Sequence, residues 1–143
     1  MIFRRVTDLI GRTPMFEIPL RDKRRRLLVK LEKFNPGQSM KDRMARSMVL
    51  NAIRQGQLKP GGTIVESTSG NTGLGLALVA SVKGYHTVFT LPDKMSMEKI
   101  RLLRAFGAEV IITPTAVPHE SPESYTEVAK RVVRETPNSI LAN

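Results

Sequence analysis

The chain has no cysteine, which excludes disulfides, zinc–thiolate sites and cysteine nucleophiles. Its two histidines, His86 and His119, lie far apart and in no metal-ligand spacing, so no metal site is expected. No apolar run approaches the ~18 residues of a membrane-spanning helix. Met1-Ile2-Phe3-Arg4-Arg5 passes into Thr7-Asp8 without the apolar core of a secretory signal. These absences point to a cytoplasmic protein with no membrane partner. Acidic residues are in the minority: 13 Asp and Glu stand against 23 Lys and Arg, a formal charge of +10. Such a balance can mark a nucleic-acid partner. Much of the excess is local, however, in Arg21, Lys23, Arg24, Arg25 and Arg26, between the short apolar runs Met15–Leu20 and Leu27–Leu31. No aromatic residue interleaves with these cations, as a single-strand binding surface would require. The expected reading is a solvated hairpin loop that steers anionic small molecules, with no nucleic-acid partner.

What is present is a chain of 143 residues with 41% hydrophobic residues, enough for a domain with a core. Residues 1–34 read as a short helix, a Gly11-Arg12-Thr13-Pro14 turn and two strands. Lys41–Gln55 carries an apolar stripe of Met44, Ala45, Met48, Val49, Ala52 and Ile53, and Gly56 stops it. After the Pro60-Gly61-Gly62 breaker, strands and helices alternate. Strands are predicted at Thr63–Glu66, His86–Leu91, Glu109–Thr113 and from Ser139. A helix over 71–83 is apolar on nearly all sides and should be buried. Ser96 is a candidate N-cap for a helix through Phe106, with Gly107 as its stop. Ser121 followed by Pro122 reads as the cap and first position of the next helix. In it, Tyr125, Val128, Ala129, Val132 and Val133 share one face. This order predicts an α/β fold, a parallel sheet with helices on both faces. The chain stops at Asn143 as a strand begins, so further sequence is expected after it.

Two motifs carry the chemistry. The first, Asn35-Pro36-Gly37-Gln38-Ser39-Met40-Lys41-Asp42-Arg43, places a lysine at a helix start behind a turn-forming Pro-Gly pair. The positive end of a helix disfavours an ammonium, and a neutral amine is what attack on an aldehyde requires. Asp42 and Arg43 are expected to make structural ion pairs and first-turn contacts. The second motif, Glu66-Ser67-Thr68-Ser69-Gly70-Asn71-Thr72-Gly73, is a polar loop between a strand and a helix. In an open parallel sheet, ligands bind beyond the carboxyl ends of the strands. Backbone N–H groups and the hydroxyls of Thr68, Ser69 and Thr72 there would cradle an anion. The glycine spacing matches neither a Walker A loop nor a dinucleotide fingerprint. From the loop alone, an ordinary strand–helix connection with an N-cap remains an equal alternative.

Together these motifs resemble those of the cysteine synthase and cystathionine β-synthase family, pyridoxal-phosphate enzymes of fold type II. Ser39-Met40-Lys41-Asp42-Arg43 is similar to the family's cofactor-lysine motif. Thr68-Ser69-Gly70-Asn71-Thr72-Gly73 is similar to its substrate-carboxylate and cofactor loop. The resemblance extends to Thr7–Pro14, Gly56–Gly61, Pro92–Ser96 and Gly107–Val110. Thr113–Pro118 and Ser121–Tyr125 look closer to the cystathionine β-synthase branch. The resemblance implies that Lys41 binds pyridoxal 5′-phosphate as an imine and later shuttles the substrate's α-proton. It implies that Asn71 hydrogen-bonds the cofactor's 3′-oxygen. Thr68, Ser69, Gly70, Asn71 and Thr72 would hold the amino acid's α-carboxylate. The implied reaction is β-replacement on serine or an O-activated serine, giving cystathionine or cysteine, in a homodimer. Residues 1–36 would be the N-terminal segment of a larger domain, and 37–143 a smaller, mobile α/β domain. The remainder of the larger domain is expected downstream, with the phosphate loop and the residue facing the pyridine nitrogen. Ser67 stands where relatives usually carry proline, and Gln38 where many carry glycine. The cysteine-ligated haem site of metazoan members is not expected. A non-catalytic fragment or pseudoenzyme that binds a partner is the alternative reading.

Overall fold

A computed structural model describes residues 2–67 and 70–142. Strands β1 (Met15–Ile18) and β2 (Leu27–Lys30) form an antiparallel hairpin, with Phe16 opposite Val29. Its tip carries the basic cluster, three of whose cations find local acids. Arg26 pairs with Glu17 at 2.9 Å, while Arg24 and Arg25 lie 3.2 and 3.5 Å from Asp22. The solvated-loop reading therefore holds. A 3-10 turn at Val6–Leu9 precedes the hairpin, and a second at Glu32–Phe34 leads from it to helix α1 (Lys41–Arg54).

The rest alternates strand and helix as the pattern predicts: β3 (Thr63–Ser67), α2 (Asn71–Lys83), β4 (His86–Pro92), α3 (Met97–Ala105), β5 (Glu109–Thr113), α4 (Tyr125–Glu135) and β6 (Ser139–Leu141). The four strands are all parallel, in the order β5-β4-β3-β6. Side chains alternate along each strand and divide the core in two. Ile64 and Phe89 face the layer built by α1, α2 and α3, whereas Val65 and Val88 face Ala129, Val132 and Val133 of α4. Helix α2 lies inside the first layer, buried from Leu76 to Ala80, which explains its apolar residues on every side.

One predicted boundary is corrected. Ser121 does not cap α4, and Pro122 is not its first residue. Ser124, only 2% exposed, is the cap: its Oγ accepts from the Glu127 N–H at 3.2 Å and donates to the His119 carbonyl at 2.8 Å. Ser121 belongs to a preceding turn, in which its carbonyl accepts from the Ser124 N–H. The buried serine displaces the half-buried one because it satisfies two backbone groups at once.

Candidate active site

The strand order creates a natural crevice. The chain builds outward from β3 through β4 to β5, then crosses over to place β6 on the other side of β3. Helix α2, which leaves β3, and helix α4, which leads into β6, lie on opposite faces of the sheet, and open α/β sheets bind ligands at the carboxyl ends of strands where the strand order reverses. The loop from Ser67 to Asn71 lies at that end of β3. Thr68 and Ser69 fall outside the described residues. Gly70 takes the N-cap position of α2 with an extended backbone, Asn71 is its first residue and exposed, and Thr72 is half-buried.

Lys41 is the first residue of α1 and half-buried. Its backbone N–H donates to Ser39 Oγ at 3.1 Å. Among the described residues no carboxylate pairs with its Nζ, whose nearest polar contact is Met44 Sδ at 4.0 Å. The two motifs meet through a residue that neither includes. Gly75, one turn into α2, packs on the first turn of α1. A Cβ there would stand 3.0 Å from Ala45 Cβ and 3.1 Å from the Lys41 carbonyl oxygen. The start of the lysine helix is thereby fixed against the start of the loop helix.

The turn before Lys41 is anchored from the N-terminal segment. Asn35 accepts from the Gly11 N–H at 2.8 Å and donates to the Glu32 carbonyl at 2.8 Å. Arg43 grips Glu32 with two hydrogen bonds, at 2.9 and 3.0 Å, and also reaches Thr13 Oγ1 at 3.0 Å. These donors hold the Glu32 carboxyl down at about 2, Arg43 contributing most and Thr13 next. The structural ion pair expected of Arg43 is present. Asp42 differs: fully buried, it pairs with no cation among the described residues, and its Oδ2 accepts from the Gly37 N–H. Burial pushes its carboxyl up. Gln38 sits at φ +58°, a left-handed backbone that glycine adopts without strain.

Two further features escaped the motif reading. A cleft of about 230 Å³ opens beside Gly70 and Asn71, floored by Leu74 and Leu91 and edged by Ser96 and Glu98. Glu66, two residues before Thr68, faces the α1–α2 layer in register with Phe89. Burial lifts its carboxyl to about 7. Neither was visible as a local pattern, because each depends on strands and helices distant in sequence.

A lysine opening one helix and a loop leading into its neighbour sit on a parallel α/β fold, the class that binds ligands at the carboxyl ends of its strands. A family model described as pyridoxal-phosphate dependent enzyme matches residues 6–143, and the chain belongs to that family. Curated relatives include cystathionine β-synthase of Saccharomyces cerevisiae, 48% identical over 141 residues, which are 95% of this chain and 28% of the yeast protein. The cystathionine β-synthase of Mus musculus is 53% identical over 91% of this chain and 24% of its own length. Among solved structures, an O-acetylserine-dependent cystathionine β-synthase from Helicobacter pylori superposes with a TM-score of 0.85 at 38% identity. It is matched over 99% of this chain and 46% of its own. A hydrogen sulfide-producing enzyme from Fusobacterium nucleatum reaches a TM-score of 0.89 at 38% identity, over all of this chain and 46% of its own. The fold is thus that of fold type II pyridoxal-phosphate enzymes, and the curated relatives bear the name of the branch that the sequence resembles. The chain spans about a quarter of the length of those curated relatives.

The residues present fit the family's cofactor in part. An aldehyde needs an amine without a fixed carboxylate partner, and Lys41 meets that requirement. Asn71 offers an exposed amide at the neighbouring helix start.

Proposed function

We propose that this chain supplies the lysine and the carboxylate-binding loop of an enzyme that performs β-replacement on serine or an O-activated serine. The observation that supports the reading is the packing of Gly75 against the backbone of Lys41, which sets the first turn of α1 against α2. In this reading Lys41 attaches the cofactor, and its amine then takes the proton from the substrate's α-carbon and returns it. Asn71 orients the cofactor, and Thr68, Ser69, Gly70, Asn71 and Thr72 hold the α-carboxylate. Pyridoxal phosphate, when bound, supplies the electron sink that lets the α-carbon release its proton. The leaving group departs from Cβ with its bonding electrons, and a thiol sulfur forms the new bond there as its S–H proton is lost to the leaving group. The names cystathionine β-synthase and O-acetylserine-dependent cystathionine β-synthase among the relatives support this substrate class.

The division into residues 1–36, part of a larger unit, and 37–143 is supported by the hairpin. Met15, Phe16, Leu27 and Leu28 are each about half exposed there. Side chains of this kind require cover from outside the chain described.

The test adds pyridoxal phosphate to the protein and follows the absorbance of a lysine-bound cofactor. Lys41→Ala should remove that absorbance, together with β-replacement activity measured with serine or O-acetylserine and a thiol. A Lys41→Ala protein that keeps the absorbance refutes the lysine assignment. A wild-type protein that never acquires it favours the partner-binding alternative.

A further inference from the structure

Asp42 has no place in the chemistry above, yet it is among the most enclosed polar groups in the fold. Its relative exposure is 0%, and its Oδ1 meets no hydrogen-bond partner among the described residues. Buried polar groups are ordinarily satisfied, so an orphaned oxygen calls for an explanation. The carboxylate lies against Gly37, whose N–H it accepts; a Cβ on that glycine would overlap it. The turn is closed further by the Gln38 N–H donating to the Asn35 carbonyl at 2.8 Å. On the opposite side, Gly75 leaves only 3.3 Å between a would-be Cβ and Asp42 Cα. The residue next to Lys41 is thus held between the Asn35–Met40 turn and helix α2.

We propose that Asp42 is a positioning residue for Lys41: its carboxylate clamps the Asn35–Met40 turn to the first turn of α1 and so fixes where the lysine side chain begins. The proposal rests on the reading of Lys41 as the cofactor lysine. Without the clamp, the turn loses its attachment to α1 at Gly37, and Lys41 starts from a mobile helix end. An asparagine retains a side-chain acceptor for the Gly37 N–H and therefore keeps the clamp.

The experiment exposes the protein to pyridoxal phosphate, reduces with borohydride, and measures the labelling rate of Lys41 against Lys59 by peptide mass spectrometry. Wild type should label Lys41 faster than Lys59. Asp42→Ala should slow Lys41 on the order of tenfold, the scale of losing one hydrogen bond to a charged group, with Lys59 unchanged. Asp42→Asn should restore most of the rate. Gly37→Ala, which displaces the carboxylate, should slow Lys41 similarly and add little to Asp42→Ala in the double variant. A folded Asp42→Ala protein that labels Lys41 at the wild-type rate overturns the clamp, as does an Asp42→Asn protein no faster than Asp42→Ala. If Asp42→Ala does not fold, Gly37→Ala decides by the same criterion. Wild type that labels Lys41 no faster than Lys59 overturns the lysine reading and the clamp with it. Equal rates in wild type and Asp42→Ala, with Lys41 preferred in both, remove only the clamp.

Discussion

Glu66 offers the sharpest test of how the sheet end is built. On β3 it follows Ile64 by two residues and so shares that residue's face, toward α1 and α2. Its strand partner there, Phe89, is fully buried, and no cation among the described residues meets the carboxylate. Burial alone raises it from 4.5 to about 7. A raised carboxyl is destabilising once ionised. Below pH 4.5 both folded and unfolded chains hold the proton, and the position is neutral in the balance. As pH rises from 4.5 to about 7, the unfolded chain releases the proton first, and the folded state loses stability across that window. Taken in full, a shift of this size corresponds to about 3.4 kcal/mol; partial solvent screening of a half-buried group reduces it to about 2 kcal/mol. Glu66→Gln removes the titration. Urea unfolding followed by circular dichroism should find the variant and wild type separated by a constant offset near pH 4. Near pH 8 the variant should gain about 2 kcal/mol beyond that offset, or about 1 M in urea midpoint. An equal separation at both pH values would show that Glu66 is solvated and that the α1–α2 layer does not close over the end of β3.

Three other perturbations probe the remaining joints. Ser124→Ala should cost about 1–2 kcal/mol and Ser121→Ala under about 0.5 kcal/mol, since only Ser124 caps α4; thermal melts that reverse the ranking would restore the earlier boundary. Gly75→Ala sets a helix-propensity gain of about 1 kcal/mol against overpacking of about 1–3 kcal/mol. Because the Lys41 carbonyl and Asp42 Cα are backbone and cannot swing aside, destabilisation by denaturant titration is expected; a stabilised variant would contradict the close crossing of α1 and α2. Glu32, held at about 2 by Arg43 and Thr13, contributes stability above pH 4.5 that disappears as pH falls toward 2. Glu32→Gln should flatten that acid limb in melts at stepped pH, and an unchanged limb would mean the Arg43 grip contributes nothing.

The sequence was most legible where a local pattern has a single structural solution. Apolar residues on every side of α2 required burial on every side, and the alternation of β-branched runs with helices required a parallel sheet. The Pro60-Gly61-Gly62 and Gly107 breakers placed boundaries within a residue or two, because proline and left-handed glycine offer the backbone few alternatives. Ser121-Pro122 misled because it carries the same cap chemistry as Ser124. What separates them is burial beneath the His119 carbonyl, which depends on how the loop folds back. Strand order was hidden for a related reason. Nothing in Ser139–Leu141 says that it pairs with β3 rather than β5; the face of α4 and the sheet edge left free by β4 decide it.

The candidate site divides along the same line. Lys41 and Asn71 each stood out from their neighbours in sequence, because a lysine after a Pro-Gly turn and a glycine-containing loop after a strand are local signatures. Their union was not local. It depends on Gly75, which looks in the sequence like one more small residue in an apolar helix, and on Asp42, which looks like an ordinary first-turn acid. Both act through what they leave room for or close off: Gly75 by omitting a Cβ at the helix crossing, Asp42 by occupying the space that Gly37 leaves empty. Chemistry-bearing residues announce themselves by type, whereas the residues that aim them are defined by contacts across 34 positions of chain, from Lys41 to Gly75. For that reason the turn and the helix crossing, more than the lysine itself, are where substitutions should separate a chain that merely folds from one that presents its amine.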